Sequence, residues 1–339
     1  MKSTKWTRLF IAVLALAVLG LAIVPAAMAQ VRDTRLSDSQ EPGSFIVFPK
    51  FIKGTVTVDG VATPQTVIEI SVVCPSGAVC TQGQAVRLHV EWVCPGNSKG
   101  ICKETDFFLS TTVNGTVVFD PSKLGIVAPC ATGYAVAWVV NAAGAAIKFD
   151  GLIGDAVLRN SGSSAGAYNG IPVQAHPDLA NLALINTTGG LVFDGSAGRY
   201  QALTGTILSG VRFDKLTAPK VDTFLTLLTL DVISNRVNTT TFVDFLFWNA
   251  SEVPTSTSTD FICFTEQQLS VDIDSNLTAE SQGTAKGSFV GVASTQDFTP
   301  RTLLAIVETL EHNAGGAIDR EYSYSVFNDS VVVPTVFRP

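Results

Sequence analysis

Short runs of β-branched and aromatic residues, broken every few positions by Gly, Asn, Asp or Pro, fill most of this 339-residue chain. This pattern is typical of antiparallel strands joined by turns. In the clearest run, 86–92, apolar residues alternate with Arg87, His89 and Glu91, so one face is apolar and the other polar. We therefore expect an all-β protein, and we expect the polar face of this strand to be solvated.

Further strands are expected at 45–51, 66–73, 134–140, 211–215, 223–232, 242–248 and 322–327. The segment 302–311 fits either a helix that begins after Pro300 or one strand of a hairpin. The runs 223–232 and 242–248 carry apolar residues on both faces. Because a strand wet on one side should alternate, we expect the second face of these runs to be covered.

The chain also resembles itself at an offset of about 154 residues. The matched positions are Trp92 with Trp248, Asp106 with Asp260, and Gly133 with Gly287. We interpret the offset as an internal duplication, although strand-rich sequences also match one another by chance. The predicted fold is two tandem antiparallel β-sandwich domains of immunoglobulin-like type.

The domain organisation follows from this repeat. We expect a signal peptide at 1–29, an N-terminal extension at 30–44, a disulfide-bearing domain at 45–155 and a second domain at 205–339. Between the domains, 156–204 is a connector rich in Gly and Ser, in which 186–193 indicates a hairpin.

The first 29 residues have the composition of a secretory signal peptide. Lys2, Lys5 and Arg8 precede an uncharged apolar run at 9–24, and the run is followed by the small-residue motif that ends at Ala29. An uncleaved membrane anchor is the alternative for a run of this length. We expect cleavage after Ala29, which makes Gln30 the first residue of an extracellular or cell-envelope protein.

The charge of the exported chain argues against several partners. Removal of 1–29 removes three of the 22 basic residues and none of the 29 acidic ones, which leaves a net charge of about −10. Such a chain repels phosphate backbones, so nucleic acid is not an expected partner. No further apolar run is long enough to span a membrane as a helix, and no motif indicates a cofactor.

Six cysteines lie in the exported chain, at Cys74, Cys80, Cys94, Cys102, Cys130 and Cys263. An even number of cysteines outside the cytoplasm predicts disulfides. Sequence alone does not determine their connectivity, but close spacing favours Cys74–Cys80 and Cys94–Cys102, which leaves Cys130 with Cys263. Zinc is the alternative, and the absence of a CxxC pair argues against it.

Three groups of residues are candidates for chemistry. Glu91, Glu104 and Asp106 could supply paired carboxylates on loops for glycoside hydrolysis, with a solvated surface as the alternative. Asp272, Asp274 and Asn276 place oxygen atoms on one face of an extended segment, which is a weak calcium pattern. The G-x-S-x-G match at 162–166 lacks the following helix of a nucleophile elbow, so we interpret it as a turn.

These observations favour a secreted or cell-surface, non-enzymatic binding, adhesion or matrix protein. Its partner would be another protein or a second copy, bound through the apolar strands of the second domain. The alternative is a secreted, carbohydrate-directed hydrolase that uses loop carboxylates.

Overall fold

The computed structural model describes residues 37–38, 40–81, 83–95, 102–230, 240–297, 301–326, 332–333 and 336–337. The predicted signal peptide and its cleavage site at Ala29 and Gln30 lie outside these residues. Among the described helices, none is both long enough and apolar enough to cross a membrane.

The first part of the described chain builds two main sheets and one small hairpin. Its strands are β1 (Phe45–Ile52), β2 (Thr55–Val58), β3 (Val61–Pro64), β4 (Thr66–Val72), β5 (Ala85–Cys94), β6 (Lys103–Thr112), β7 (Thr116–Phe119), β8 (Thr132–Val140), β9 (Leu152–Leu158), β10 (Gly166–Asn169) and β11 (Ile171–Val173). A five-stranded sheet has the order β11-β1-β8-β5-β6, and a four-stranded sheet has the order β10-β9-β4-β7. Strands β2 and β3 pair with each other.

The second part builds two four-stranded sheets. Its strands are β12 (Leu191–Val192), β13 (Leu203–Thr204), β14 (Thr206–Arg212), β15 (Val221–Leu228), β16 (Thr241–Asn249), β17 (Pro254–Phe261), β18 (Phe264–Gln268), β19 (Lys286–Ser294), β20 (Leu304–His312), β21 (Ile318–Val326), β22 (Val332–Val333) and β23 (Val336–Phe337). The sheet orders are β14-β19-β16-β17 and β18-β15-β20-β21. A π-helical turn at Leu269–Ile273 and a short helix α1 at Ala279–Gln282 follow β18.

The prediction of an all-β chain is confirmed, because the described residues form small antiparallel sheets and no helical bundle. The segment 302–311 is not a helix, since β20 and β21 form a hairpin that turns at 313–316. The strand expected at 211–215 is wrong in its bounds, because β14 begins at Thr206 and ends at Arg212. Ser209 and Gly210 interrupt the apolar pattern of β14, so the sequence pattern did not indicate a strand before residue 211.

The segment expected to be a connector contributes strands. Strand β9 continues past residue 155, and β10 and β11 complete the two sheets of the first half. The hairpin expected at 186–193 is wrong, because β12 pairs with β23 near the end of the chain. A local turn signal at Gly189 and Gly190 cannot reveal a partner that lies so far along the sequence.

A separate apolar cluster lies between the two sheets of each half. In the first half, Trp92 packs edge-on against Phe51 with ring centroids 4.9 Å apart. In the second half, Phe245 and Phe247 both contact Phe289. Four- and five-stranded sheets occur both as layers of β-sandwiches and as blades of propellers, so sheet size alone does not define the architecture.

The strands of the two halves are arranged in the same order. When β1 and β4–β10 are matched in sequence with β14–β21, β6-β5-β8-β1 corresponds to β17-β16-β19-β14, and β7-β4-β9-β10 corresponds to β18-β15-β20-β21. Gly133 and Gly287 also have matching surroundings. A Cβ atom at Gly133 would meet the Val93 carbonyl oxygen and the Phe51 ring, and one at Gly287 would meet the carbonyl oxygen of Trp248 and the ring of Phe213.

The register corrects two of the expected matches. Trp92 pairs with Ala135, two residues after Gly133, whereas Phe247 pairs with Phe289, two residues after Gly287. Phe247 rather than Trp248 is therefore the counterpart of Trp92. Asp106 and Asp260 are not equivalent either, since Asp106 lies opposite Glu91 and Asp260 opposite Phe242.

The structure pairs the six cysteines as Cys74–Cys80, Cys94–Cys130 and Cys102–Cys263. The expected pairs Cys94–Cys102 and Cys130–Cys263 are wrong. Cys94 and Cys102 lie on neighbouring strand ends, but Cys94 faces the cluster between the sheets and Cys102 faces the opposite side of the five-stranded sheet. The Cys102–Cys263 bond links the two halves of the chain.

Candidate functional site: a carboxyl-lined cleft

The face of the five-stranded sheet that points away from its partner sheet is largely covered. Phe193 and Tyr200, which follow β12, pack edge-on against Phe45 of β1 with ring centroids 4.8 and 5.7 Å away. Glu91 on the same face of β5 is 1% exposed, so the expectation that the polar face of β5 is solvated is wrong. Alternation determines which residues share a face, but not whether distant chain covers that face.

A cleft of about 830 Å³ remains open on this covered face. Its walls include the turn at 144–146, the loop that contains Gly189 and Gly190, and strands β5 and β6. The ionisable residues that line it are His89, Glu91, Glu104 and Asp106, and Trp138 also contributes to its lining.

Antiparallel register brings these side chains together. Glu91 on β5 lies directly opposite Asp106 on β6, and Glu104 is two residues away from Asp106 on the same face. His89 lies opposite Trp138 on β8. The structure thus brings Glu91, Glu104 and Asp106 together, but it places them on strands rather than on loops. Sequence reasoning missed Trp138, because its apolar strand resembles any other buried strand.

His89 is held between two aromatic rings and two carboxyl groups. Its ring centroid lies 4.2 Å from that of Trp138 and 4.6 Å from that of Phe108. Its Nε2 atom is 3.7 Å from Glu91 Oε1 and 3.5 Å from Asp106 Oδ2. Burial lowers the pKa of His89 more than Asp106 raises it, so the imidazole is neutral at pH 7.

Glu91 is the most unusual group in the cleft. The residue is 1% exposed, and its Oε2 atom has no hydrogen-bond partner. Burial, together with the charges of Glu104 and Asp106, raises the pKa of Glu91 to about 9. Its carboxyl group is therefore protonated at pH 7, and it can both donate and accept a hydrogen bond.

Glu104 extends the same surface. Burial raises the pKa of Glu104 to about 7, and its Oε1 atom also has no hydrogen-bond partner. The nearby cation does not compensate these carboxyl groups, because the Arg87 guanidinium lies over the Phe108 ring and donates to the Ala142 carbonyl oxygen. The cleft therefore offers several polar atoms that a ligand could satisfy.

The calcium candidate does not form an ion-binding arrangement. Asp272 lies in the π-helical turn that ends at Ile273, so the segment is not one extended run, and the Asp272 carboxylate accepts from the Gln268 backbone N–H at 2.8 Å. Asp274 accepts from the Asn276 N–H at 2.8 Å. Within the described ranges, no group of three or more His, Cys, Asp or Glu side chains is arranged to hold a metal ion.

The G-x-S-x-G match is a bend that leads into β10. The serine of the motif is Ser164, whose Oγ atom is buried without a hydrogen-bond partner, and a Cβ atom at Gly162 would collide with the Thr57 carbonyl oxygen. The strand–turn–helix context that a nucleophilic serine requires is not formed here.

Comparisons with known proteins give little guidance. The sequence matches no model of a known protein family and no curated protein. The solved structures that it resembles include the BSP domain of a biofilm-associated protein, at 8% identity and a TM-score of 0.18 over 86% of this chain and 59% of that one. A mutant of the major pilin from Streptococcus pyogenes gives 10% identity and a TM-score of 0.17 over 87% and 99%.

A viral chemokine-binding protein encoded by a rodent gammaherpesvirus gives 7% identity and a TM-score of 0.12 over 88% of this chain and 84% of that one. TM-scores this low do not define a shared fold. The residues themselves define a disulfide-linked all-β chain with a carboxyl-lined cleft, and three disulfides are typical of proteins outside the cytoplasm.

Proposed function

We propose that the chain is a secreted or cell-surface, non-enzymatic binding protein whose ligand occupies the cleft at Glu91. The observation that carries this proposal is the buried Glu91 carboxyl group with an oxygen that has no partner. Burial of such a group without a hydrogen bond costs about 1–3 kcal/mol. A residue that lowers stability in this way is expected where a ligand supplies the missing partner.

The ligand class follows from the chemistry of the lining. Protonated Glu91 can exchange hydrogen bonds with a hydroxyl group, and Glu104 and Asp106 add acceptors beside it. Three carboxyl groups on a chain with a net charge of −7 disfavour phosphate and other anions. Trp138 adds aromatic surface to a site of this kind. A neutral saccharide chain, which is rich in hydroxyl groups and has apolar ring faces, fits these features.

The architecture that we propose is two tandem, immunoglobulin-like β-sandwich domains that arose by duplication. The matching strand orders, the apolar cluster between each pair of sheets and the shared surroundings of Gly133 and Gly287 support this proposal. In such a protein the first domain carries the cleft.

Self-association through the second half is also proposed. Phe245 and Phe247 are buried, so the surface concerned is the opposite face of β16, where Leu246 lies across from Val290 of β19. Leu208 of β14, which is 56% exposed, flanks Val290 on its other side. We expect Leu208→Lys to shift the sedimentation coefficient of concentrated protein toward that of a monomer. A parent protein that is monomeric at every concentration would contradict the proposal.

A second candidate function is a secreted, carbohydrate-directed hydrolase. Glu91, with its raised pKa, could act as the general acid, and Asp106 on the opposing strand could act as the base or nucleophile. Directly opposed residues have Cβ atoms about 4.5–5.5 Å apart, which is compatible with the carboxyl separations of glycosidases.

Calorimetric titration of the parent protein with cellohexaose, chitohexaose and maltohexaose tests the proposed function. We expect binding of at least one saccharide, and at least a tenfold weaker affinity for Glu91→Leu. Leucine fills the buried position with a side chain of similar size but has no carboxyl group. Glu69→Leu on β4, which lies in the other sheet of the same half, is the matched control and should bind like the parent.

The outcomes of this titration separate the two functions. Binding without new reducing ends supports the binding protein. Release of reducing ends that is lost in both Glu91→Leu and Asp106→Asn would establish the hydrolase instead. If no saccharide gives a heat of binding and none is hydrolysed, both the saccharide-binding function and the hydrolase function are wrong.

A further inference from the structure

A second buried polar cluster lies where the two halves of the chain meet, away from the cleft. Lys50 on β1 has a side chain that is only 3% exposed, and the side chain of Glu308 on β20 is 2% exposed. Lys50 Nζ lies 3.0 Å from Glu308 Oε2 and also forms an ion pair with Glu266 on β18. A lysine is rarely buried this deeply without a specific partner.

Asn160, which follows β9, contacts the same carboxyl group. Its side-chain Nδ2 donates to Glu308 Oε1 at 2.6 Å. One carboxyl group therefore bridges the Lys50 amine and the Asn160 amide, with one nitrogen on each oxygen. The backbone of Asn160 is held in place, because the N–H groups of Asn160 and Ser161 both donate to Glu321 Oε1, at 2.8 and 3.1 Å.

We propose that Lys50 and Asn160 become joined by an intramolecular amide bond, and that Glu308 transfers the protons in this reaction. The arrangement contains each group that the reaction needs: a primary amine, a carboxamide and a carboxyl group in contact with both. The product would be an amide cross-link between β1 and the segment after β9, next to Glu308 and Glu266 of the second half.

The reaction balances without an external reagent. Glu308 takes a proton from the Lys50 ammonium group, and the free Nζ lone pair attacks Cγ of Asn160. The Cγ–Nδ2 bond of the tetrahedral adduct then breaks, and the departing nitrogen receives the second Nζ proton and the proton held by Glu308. Lys50 and Asn160 become one secondary amide, an ammonium ion leaves, and Glu308 returns to its carboxylate form.

The surroundings favour this outcome over hydrolysis. Attack requires Nζ and Cγ to approach to about 3–3.5 Å. The Lys50 and Asn160 nitrogens both contact the Glu308 carboxyl group, one on each oxygen. The amine and the Glu308 carboxyl group are buried, which limits the water that could compete with the amine. Burial alone would lower the pKa of Lys50, but the charges of Glu308 and Glu266 raise it by more, so the net pKa is raised. The reaction therefore starts from the Lys50 ammonium group paired with the Glu308 carboxylate.

Peptide mapping by tandem mass spectrometry of the folded, exported chain tests the proposal. After reduction, denaturation and proteolysis, we expect a branched peptide that joins residues 50 and 160 and is lighter by one ammonia than its two parts. Intact mass alone is not sufficient, because cyclisation of an N-terminal Gln30 would release the same mass. Trypsin should also fail to cleave after Lys50.

Three variants complete the experiment. Asn160→Ala removes the carboxamide that the amine attacks, and Glu308→Gln removes the carboxyl group that transfers the protons. Both variants should lack the branched peptide. Glu266→Gln keeps all three reacting groups and should retain it. Separate, unmodified peptides containing Lys50 and Asn160 from folded parent protein would overturn the proposal, whatever the variants show.

Discussion

Glu91→Gln should stabilise the protein at pH 8 by an amount on the order of 3 kcal/mol, although it removes an ionisable group from the candidate site. In the folded chain the pKa of Glu91 is raised to about 9 from an ordinary value of 4.5. The unfolded chain therefore releases this proton above about pH 4.5, whereas the folded chain keeps it. Glutamine has no proton to release, so the variant avoids this loss of stability.

The stability of the parent protein should be greatest near pH 4.5 and should fall as the pH rises toward 9. Glu104, whose pKa is about 7, contributes to the same fall between about pH 4.5 and 7. Urea denaturation of the parent and of Glu91→Gln at pH 5, 7 and 9 measures the difference. Glu69→Gln serves as the control.

The stability gap between Glu91→Gln and the parent should widen steadily across these three pH values. Curves that remain parallel would contradict the buried, protonated state of Glu91. A variant that is more stable but binds ligand less well would identify Glu91 as a residue retained for function at the expense of stability.

Replacing both Cys102 and Cys263 by serine should cause the largest loss of stability among the disulfide variants. This bond joins residues 161 positions apart, and closure of a loop of that length stabilises the fold by about 5 kcal/mol in the chain-entropy description. The matched control, Cys74→Ser with Cys80→Ser, opens a loop with a separation of six and should cost about 2 kcal/mol.

Urea denaturation of the two double variants at one pH checks this ordering. The Cys102/Cys263 variant should also show faster hydrogen exchange of backbone amides where the halves meet, because this disulfide cross-links the two halves. If the Cys102/Cys263 variant lost no more stability than the Cys74/Cys80 variant, the prediction that the Cys102–Cys263 bond stabilises the fold by restricting the unfolded chain would be wrong.

The alternating pattern at 86–92 predicted correctly which side chains share a face of β5. It could not predict that Glu91 is buried, because the loop around Gly189 and Gly190, about 100 residues further along the chain, lies on that side of the sheet. The trio of carboxyl groups was identifiable from composition. Its convergence depends on the register of β5 with β6, which no local signal specifies.

The cysteines and phenylalanines show the same limit. Close spacing suggested Cys94–Cys102, but the two side chains emerge on opposite faces of one sheet. The run 242–248 is apolar on both sides, and sequence alone did not distinguish the buried Phe245 and Phe247 from the outward-facing Leu246. Both distinctions require the partner strands, which are distant in sequence.

The central claim, that the cleft at Glu91 binds a ligand, is tested most directly by mapping backbone amide shifts in NMR spectra during titration with the saccharide that gives the strongest calorimetric signal. We expect shifts concentrated at Glu91, Glu104, Asp106, Gly189 and Gly190, and their loss in Glu91→Leu. Shifts confined to another surface, such as the strand around Leu208, or unchanged spectra at saturating saccharide, would contradict it.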